Sequence, residues 1–160
     1  MSNATEQLII FDLGGEEFGV EITKVQEIIR MKEITELPNK SEFMAGIINL
    51  RGDIISVIDL RKRFAVKQED TKQTRIIIVE MDNQDVGLIV DSVSEVLRIE
   101  PEDIDDAPQK IAGIKDNYLR GIGKVEERIV ILLDLNKLLT TEEKIELENI
   151  NQDVDDEEIA

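Results

Sequence analysis

The sequence predicts a mainly β protein built as two fused small barrels. Three observations carry that reading. One hairpin is written twice, as "GIINLRGDIISVIDL" (46–60) and "GIGKVEERIVILLDL" (121–135), identical at five of fifteen positions and apolar at most others. The candidate strands are short, rich in Ile and Val, and bounded by Gly, Pro, Asp or Asn, as small barrels require. Finally, 160 residues that are 41% apolar but only 3% aromatic specify a real core that is aliphatic.

The elements follow in order. "QLIIFDL" (7–13) reads as a first strand and matches "RIIIVEM" (75–81). A tight turn leads to "EFGVEITKVQEIIRM" (17–31), which aligns with "DVGLIVDSVSEVLRI" (85–99), with Gly19/Gly87, Val25/Val93, Glu27/Glu95 and Arg30/Arg98 coinciding. Apolar residues at 22, 25, 28 and 29 have helical spacing, so each half is expected to carry a short helix there, although so short a run also suits a strand. The duplicated hairpins end at Asp59 and Asp134, each expected to cap a short helical segment, "LRKRF" or "LNKLL". "KRFAVKQEDTKQT" (62–74) is the polar seam between the halves. The alignment offset grows from 68 (17 to 85) to 75 (46 to 121), so the second half holds seven extra residues. They fall in "EPEDIDDAPQKIAGIKDNYLR" (100–120), whose prolines and acids predict a surface loop. Two such repeats are too few for a solenoid. After Leu139, Thr140 and Glu143 form a capping box, and Leu147, Ile150 and Val154 form a helical stripe, predicting one terminal helix.

Charge and composition narrow the function. The formal charge is −17, with nine acids and one lysine among residues 140–160. That balance repels phosphate backbones, and the basic run Arg61, Lys62, Arg63 and Lys67 is too small a patch to reverse it. Absence of cysteine fits the cytoplasm, and no apolar run approaches the length of a membrane helix, so no membrane insertion is expected. Histidine is absent too, which removes the commonest general base and most zinc sites. Gly123-Lys124 is followed by Val125, without the glycine spacing of a phosphate loop. The matched pair Asp59 and Asp134 is better explained by helix capping than by acid–base chemistry. The expectation is a binding protein with no enzyme activity, cofactor or metal.

At this point four blocks carry a resemblance: "EFGVEITKVQEII", "GIINLRGDIISVIDLRKRF", "DVGLIVDSVSEVL" and "LRGIGKVEERIVILLDLNKLL". In order and spacing they resemble the CheW-like family of bacterial chemotaxis coupling proteins, over about residues 7–150. The resemblance implies two pseudo-symmetric five-stranded SH3-like β-barrels with short helices. It places one domain at 5–150, with barrel 1 at about 14–72, barrel 2 at about 5–13 plus 73–139, a C-terminal helix at 140–152 and an acidic tail at 153–160. It also implies an adaptor joining chemoreceptor cytoplasmic tips to the regulatory domain of the histidine kinase CheA. Such an adaptor is a cytoplasmic monomer in isolation, recruited to membrane-associated receptor arrays. A non-flagellar chemosensory pathway is the alternative setting. A metal-using β-barrel enzyme and an oligonucleotide-binding barrel are alternatives of other classes, and this chain lacks their usual residues.

Within that resemblance the "NLRG" turn, Asn49, Leu50, Arg51 and Gly52, is a partner-binding surface. The matching turn carries Glu126 and Glu127, so a barrel does not need Arg51 in order to fold. Val25, Glu27, Gly46, Val93 and Val96 match receptor-groove positions. For Gly46, which has Gly121 as counterpart, and for Val25, paired with Val93, a core or backbone role competes with binding.

Overall fold

Two runs apolar at nearly every position cannot have one wet face, and both are sheet interiors. β1 (Glu6–Leu13) and β2 (Glu16–Glu21) form a hairpin, as do β6 (Arg75–Met81) and β7 (Gln84–Val90). The computed structural model describes residues 5–38, 42–105 and 118–138. Among the described residues the remaining strands are β3 (Val25–Arg30), β4 (Met44–Leu50), β5 (Asp53–Asp59), β8 (Ser92–Ile99), β9 (Ile104–Asp105), β10 (Leu119–Val125) and β11 (Arg128–Leu133), with one short α-helix, α1 (Leu60–Arg63). The predicted terminal helix and acidic tail lie outside the described residues.

The strands form two sheets, ordered β8-β1-β2-β11-β10-β9 and β3-β6-β7-β5-β4. Each repeat therefore gives its whole first hairpin to the other repeat's sheet. The expected barrel limits at 13/14 and 72/73 are corrected: the sheets change after β2 and after β7. The reason is in the pairing. β2 cannot leave β1, its hairpin partner, and both strands close against the second repeat, β1 on β8 and β2 in parallel on β11. β6 and β7 repeat the arrangement on β3 and β5.

Exchange creates three cores. Ile9, Phe11 and Leu13 of β1 meet Ile77, Val79 and Met81 of β6 in a shared core between the sheets. The alternate residues, Leu8 and Ile10 or Ile76 and Ile78, fill the two barrel interiors. This double burial explains the unbroken apolar runs. All five aromatic rings are buried in the shared core, with Phe11, Phe18, Phe64 and Tyr118 in successive contact at 5.5–5.9 Å. None is free to stack a nucleic-acid base. The repeat-matched Gly19 and Gly87 face the barrel interiors, where a Cβ at Gly87 would come 2.9 Å from Ile76 Cγ2.

Two local expectations are corrected. The predicted helix at 22–29 is a single 3-10 turn, Ile22–Lys24, followed by strand β3. So short a helix nucleates poorly, whereas β-branched residues paired to β6 gain a ladder of hydrogen bonds. The second half has no helix there either, since β8 starts at Ser92. In the extra segment, Ile104–Asp105 is a strand paired with β10, where only loop was expected. Its counterpart in the first repeat is a single bridge, Thr35 with Ile47, made by two 2.9 Å hydrogen bonds.

The expected caps are present. Asp59 and Asp134 each accept a backbone N–H at 3.0 Å, from Arg61 and Asn136. They differ in burial, because Asp59 also holds the Arg61 guanidinium in a bidentate pair at 2.9 and 3.0 Å, with both residues under 5% exposed. Arg63 lies 4.7 Å over the Phe43 ring and donates to the Tyr118 hydroxyl at 3.0 Å. The run read as a basic surface patch is thus half interior. Asp59→Ala removes the bidentate partner of a buried guanidinium and leaves it only the more exposed Asp70 at 2.9 Å, so it should cost about 3 kcal/mol by chemical denaturation. Asp134→Ala removes only a more exposed cap and should cost about 1 kcal/mol. Equal losses would contradict this division.

Candidate partner-binding site

Leu50 pairs with Asp53 across the β4–β5 hairpin, which leaves Arg51 and Gly52 as its bend. Both have positive φ, 53° and 92°, the sense that matches the right-handed twist of the strands. Glycine adopts this freely, while Arg51 is held there by the hairpin. Asn49 secures the bend from within, its Oδ1 accepting the Gly52 N–H at 2.8 Å. The Arg51 side chain is 69% exposed, and its guanidinium donates to both carboxylate oxygens of Glu27, at 3.2 Å to Oε1 and closer to Oε2. The Lys32 ammonium donates to the Asn49 carbonyl.

Four of the sequence-predicted residues, Glu27, Asn49, Arg51 and Gly52, therefore meet at one tip. The Thr35–Ile47 bridge and the Lys32 contact bring the chain after β3 alongside β4, and so bring β3 to the hairpin end. Hydrogen bonding from Arg51, aided by its charge and that of Lys32, holds the Glu27 carboxyl below the usual carboxylate range. Arg51 is in turn raised by Glu27. Both groups are ionised at neutral pH, and the fork remains accessible from outside. Lys32 was not anticipated, because it matches no position of the four motif blocks and joins the tip only through barrel closure.

The matching bend, between Val125 and Arg128, shows what the fold itself requires. Glu126 has φ 57°, as Arg51 does, so the left-handed first position belongs to the bend. The residue type does not. Lys124, in the place of Asn49, pairs with Asp105 instead of fastening the turn.

The other predicted residues separate by environment. Val25 and Val93 sit at matching places on β3 and β8, half-buried against the shared core. Gly46 has φ 146° at a bulge in β4, and a Cβ there would lie 2.2 Å from the Thr35 carbonyl oxygen. Its need for glycine is internal. Val96 is 48% exposed on β8, and its repeat counterpart Ile28 is 38% exposed on β3. Ile28 was missed, although the offset of 68 (28 to 96) pairs the two. Asp59 and Asp134 are caps in different sheets and do not form a carboxylate pair.

Comparison with known proteins identifies the family and the fold. Residues 7–143 match the CheW-like domain family. The chain is 39% identical over 146 residues to "Chemotaxis protein CheW" of Klebsiella aerogenes, covering 91% of this chain and 88% of that one. The Bacillus subtilis protein of the same name is 35% identical over 138 residues, covering 86% and 88%. Among solved structures, the crystal structure of the scaffolding protein TtCheW from Thermoanaerobacter tengcongensis superposes with a TM-score of 0.82 at 39% identity, covering 88% of this chain and 96% of that one. In sequence and in fold, the chain belongs to the CheW-like family of chemotaxis scaffold proteins.

Proposed function

We propose that this protein is a non-catalytic adaptor that couples chemoreceptor cytoplasmic tips to the histidine kinase CheA. It works from the cytoplasm as a monomer recruited to receptor arrays. The observation that carries the reading is the asymmetry of two otherwise equivalent bends. One presents an exposed arginine fork beside Glu27 and Lys32; the other presents Glu126 and Glu127. A scaffold needs both bends to close its hairpins and needs the arginine at neither. Arg51 is thus available to grip a partner's carboxylates or carbonyls, which its planar five-donor fork suits. Val25, Gly46, Val93 and Val96 extend the proposed surface, with Val25 and Val93 as its half-buried apolar floor.

The pairing with Glu27 alters what a charge reversal tests. Arg51→Glu places a carboxylate against Glu27, so some loss of stability is expected, and Arg51→Gln is the cleaner companion. Arg51→Gln should leave the thermal midpoint within about 4 °C of the parent. Arg51→Glu should weaken binding to the kinase's regulatory domain or the receptor tip by about tenfold or more. Titration calorimetry with each partner, alongside thermal unfolding, separates the effects. A folded Arg51→Glu protein that binds both partners as tightly as the parent would place the interface elsewhere.

A further inference from the structure

Several arginines of the described residues have a carboxylate beside them: Arg51 has Glu27, Arg61 has Asp59, Arg120 has Glu6 and Arg128 has Glu17. Arg30 and Arg75 form a different arrangement. They are directly opposed across β3 and β6, so both side chains leave the same face at cross-strand distance, where like charges repel. The fold does not impose this pair. In the other sheet the equivalent of Arg30 is Arg98, and it faces Gln7.

Beside the two arginines is an open cleft of about 430 Å³, lined by Arg30, Met31, Thr71, Lys72, Thr74 and Arg75. The lining holds three cations and no carboxylate, in a chain with 36 acids and 19 bases. The two acids just before the turn are engaged elsewhere, Glu69 with Lys67 at 3.7 Å and Asp70 with Arg61 at 2.9 Å. Arg75 is oriented by its Nη1, which donates to the Lys72 and Thr74 carbonyls at 2.8 and 2.9 Å and leaves its other N–H groups available. The Thr74 hydroxyl accepts the Thr71 N–H at 2.8 Å, and the Thr71 hydroxyl accepts the Gln73 N–H at 3.0 Å. Each hydroxyl thus retains its proton to donate.

We propose that this cleft at the inter-repeat seam binds a tetrahedral oxyanion: a phosphate, either free or carried by a small molecule. Its side chains offer donors from β3, from β6 and from the turn before β6, which converge on one tetrahedral group with more oxygens than either carboxylate of a molecule such as glutamate presents. A dianion also relieves the Arg30–Arg75 repulsion. Extended polyanions such as nucleic acid or an anionic membrane meet the whole charge of −17, whereas a small anion within a Debye length responds to the local cations.

Amide chemical-shift titration of the full chain tests this, with inorganic phosphate, glycerol phosphate and glutamate compared at matched ionic strength. Inorganic phosphate should produce saturable shifts at Thr71–Arg75 in the millimolar range, and glutamate should not. Tighter binding of glycerol phosphate assigns the site to an ester, and tighter binding of the inorganic ion assigns it to free phosphate. Arg30→Gln and Lys72→Gln should each weaken binding about fivefold or more, while Lys67→Gln, outside the cleft, binds as the parent does. Arg30→Gln removes a cross-strand repulsion, so it should melt no lower than the parent in chloride. An equal response to glutamate, no saturation by about 20 mM phosphate, or undiminished binding by both variants would overturn the proposal.

Discussion

Each sheet is incomplete without the other repeat's first hairpin, and the rest of the structure depends on that reciprocal exchange. β1–β2 sits between β8 and β11, and β6–β7 sits between β3 and β5. The centres of the exchanged strands, such as residues 8–11 and 76–79, are buried on both faces, so they are apolar there and bring the two barrels together over one shared core. The few aromatic rings are all placed there. Matched glycines at 19 and 87 keep the barrel interiors small enough for aliphatic side chains to fill. Loss of packing on either hairpin would therefore open both sheets, which makes the molecule one cooperative unit despite its two barrels.

Such a scaffold separates what is duplicated from what is not. Duplicated features serve folding: the bends with a left-handed first residue, the aspartate caps, the close-packed glycines, and the Val25/Val93 contacts with the shared core. Several charges diverge between the copies, although Glu27/Glu95 and Arg30/Arg98 coincide. Arg51 is matched by Glu126, buried Arg61 by Asn136, and the opposed Arg30 and Arg75 by Arg98 and Gln7. Surface chemistry in one half could change without disturbing closure, because the pairing of the exchanged hairpins follows the same pattern in both.

Much of this was legible in the sequence because repetition reports on folding. The strands, both hairpins, the two caps and the difference in residue type between the Arg51 bend and its twin followed from matching one half to the other. The resemblance gave β1 to the second barrel, but exchange of both whole hairpins was not legible, since swapped and unswapped arrangements bury the same residues in the same strands. The segment at 22–29 misled because four apolar positions satisfy two periodicities, and long-range pairing to β6 decided between them. The basic run at 61–67 read as surface because charge alone says nothing of partners; Arg61 goes inside because Asp59 and Asp70 are there to meet it. At the site, Glu27 and the turn were each readable alone, but their contact depends on barrel closure and carries no signal in the local sequence.

The account's central claim is that one bend, and not its twin, is the contact surface. Backbone amide mapping of the isotopically labelled chain, on addition of the CheA regulatory domain and then a receptor-tip fragment, tests it most directly. The account predicts that Glu27, Lys32 and Asn49–Gly52 are perturbed by at least one of the two partners, while Glu126 and Glu127 are unmoved at that same step. Perturbations centred on the β10–β11 bend, with the Arg51 tip unchanged by both partners, would contradict it.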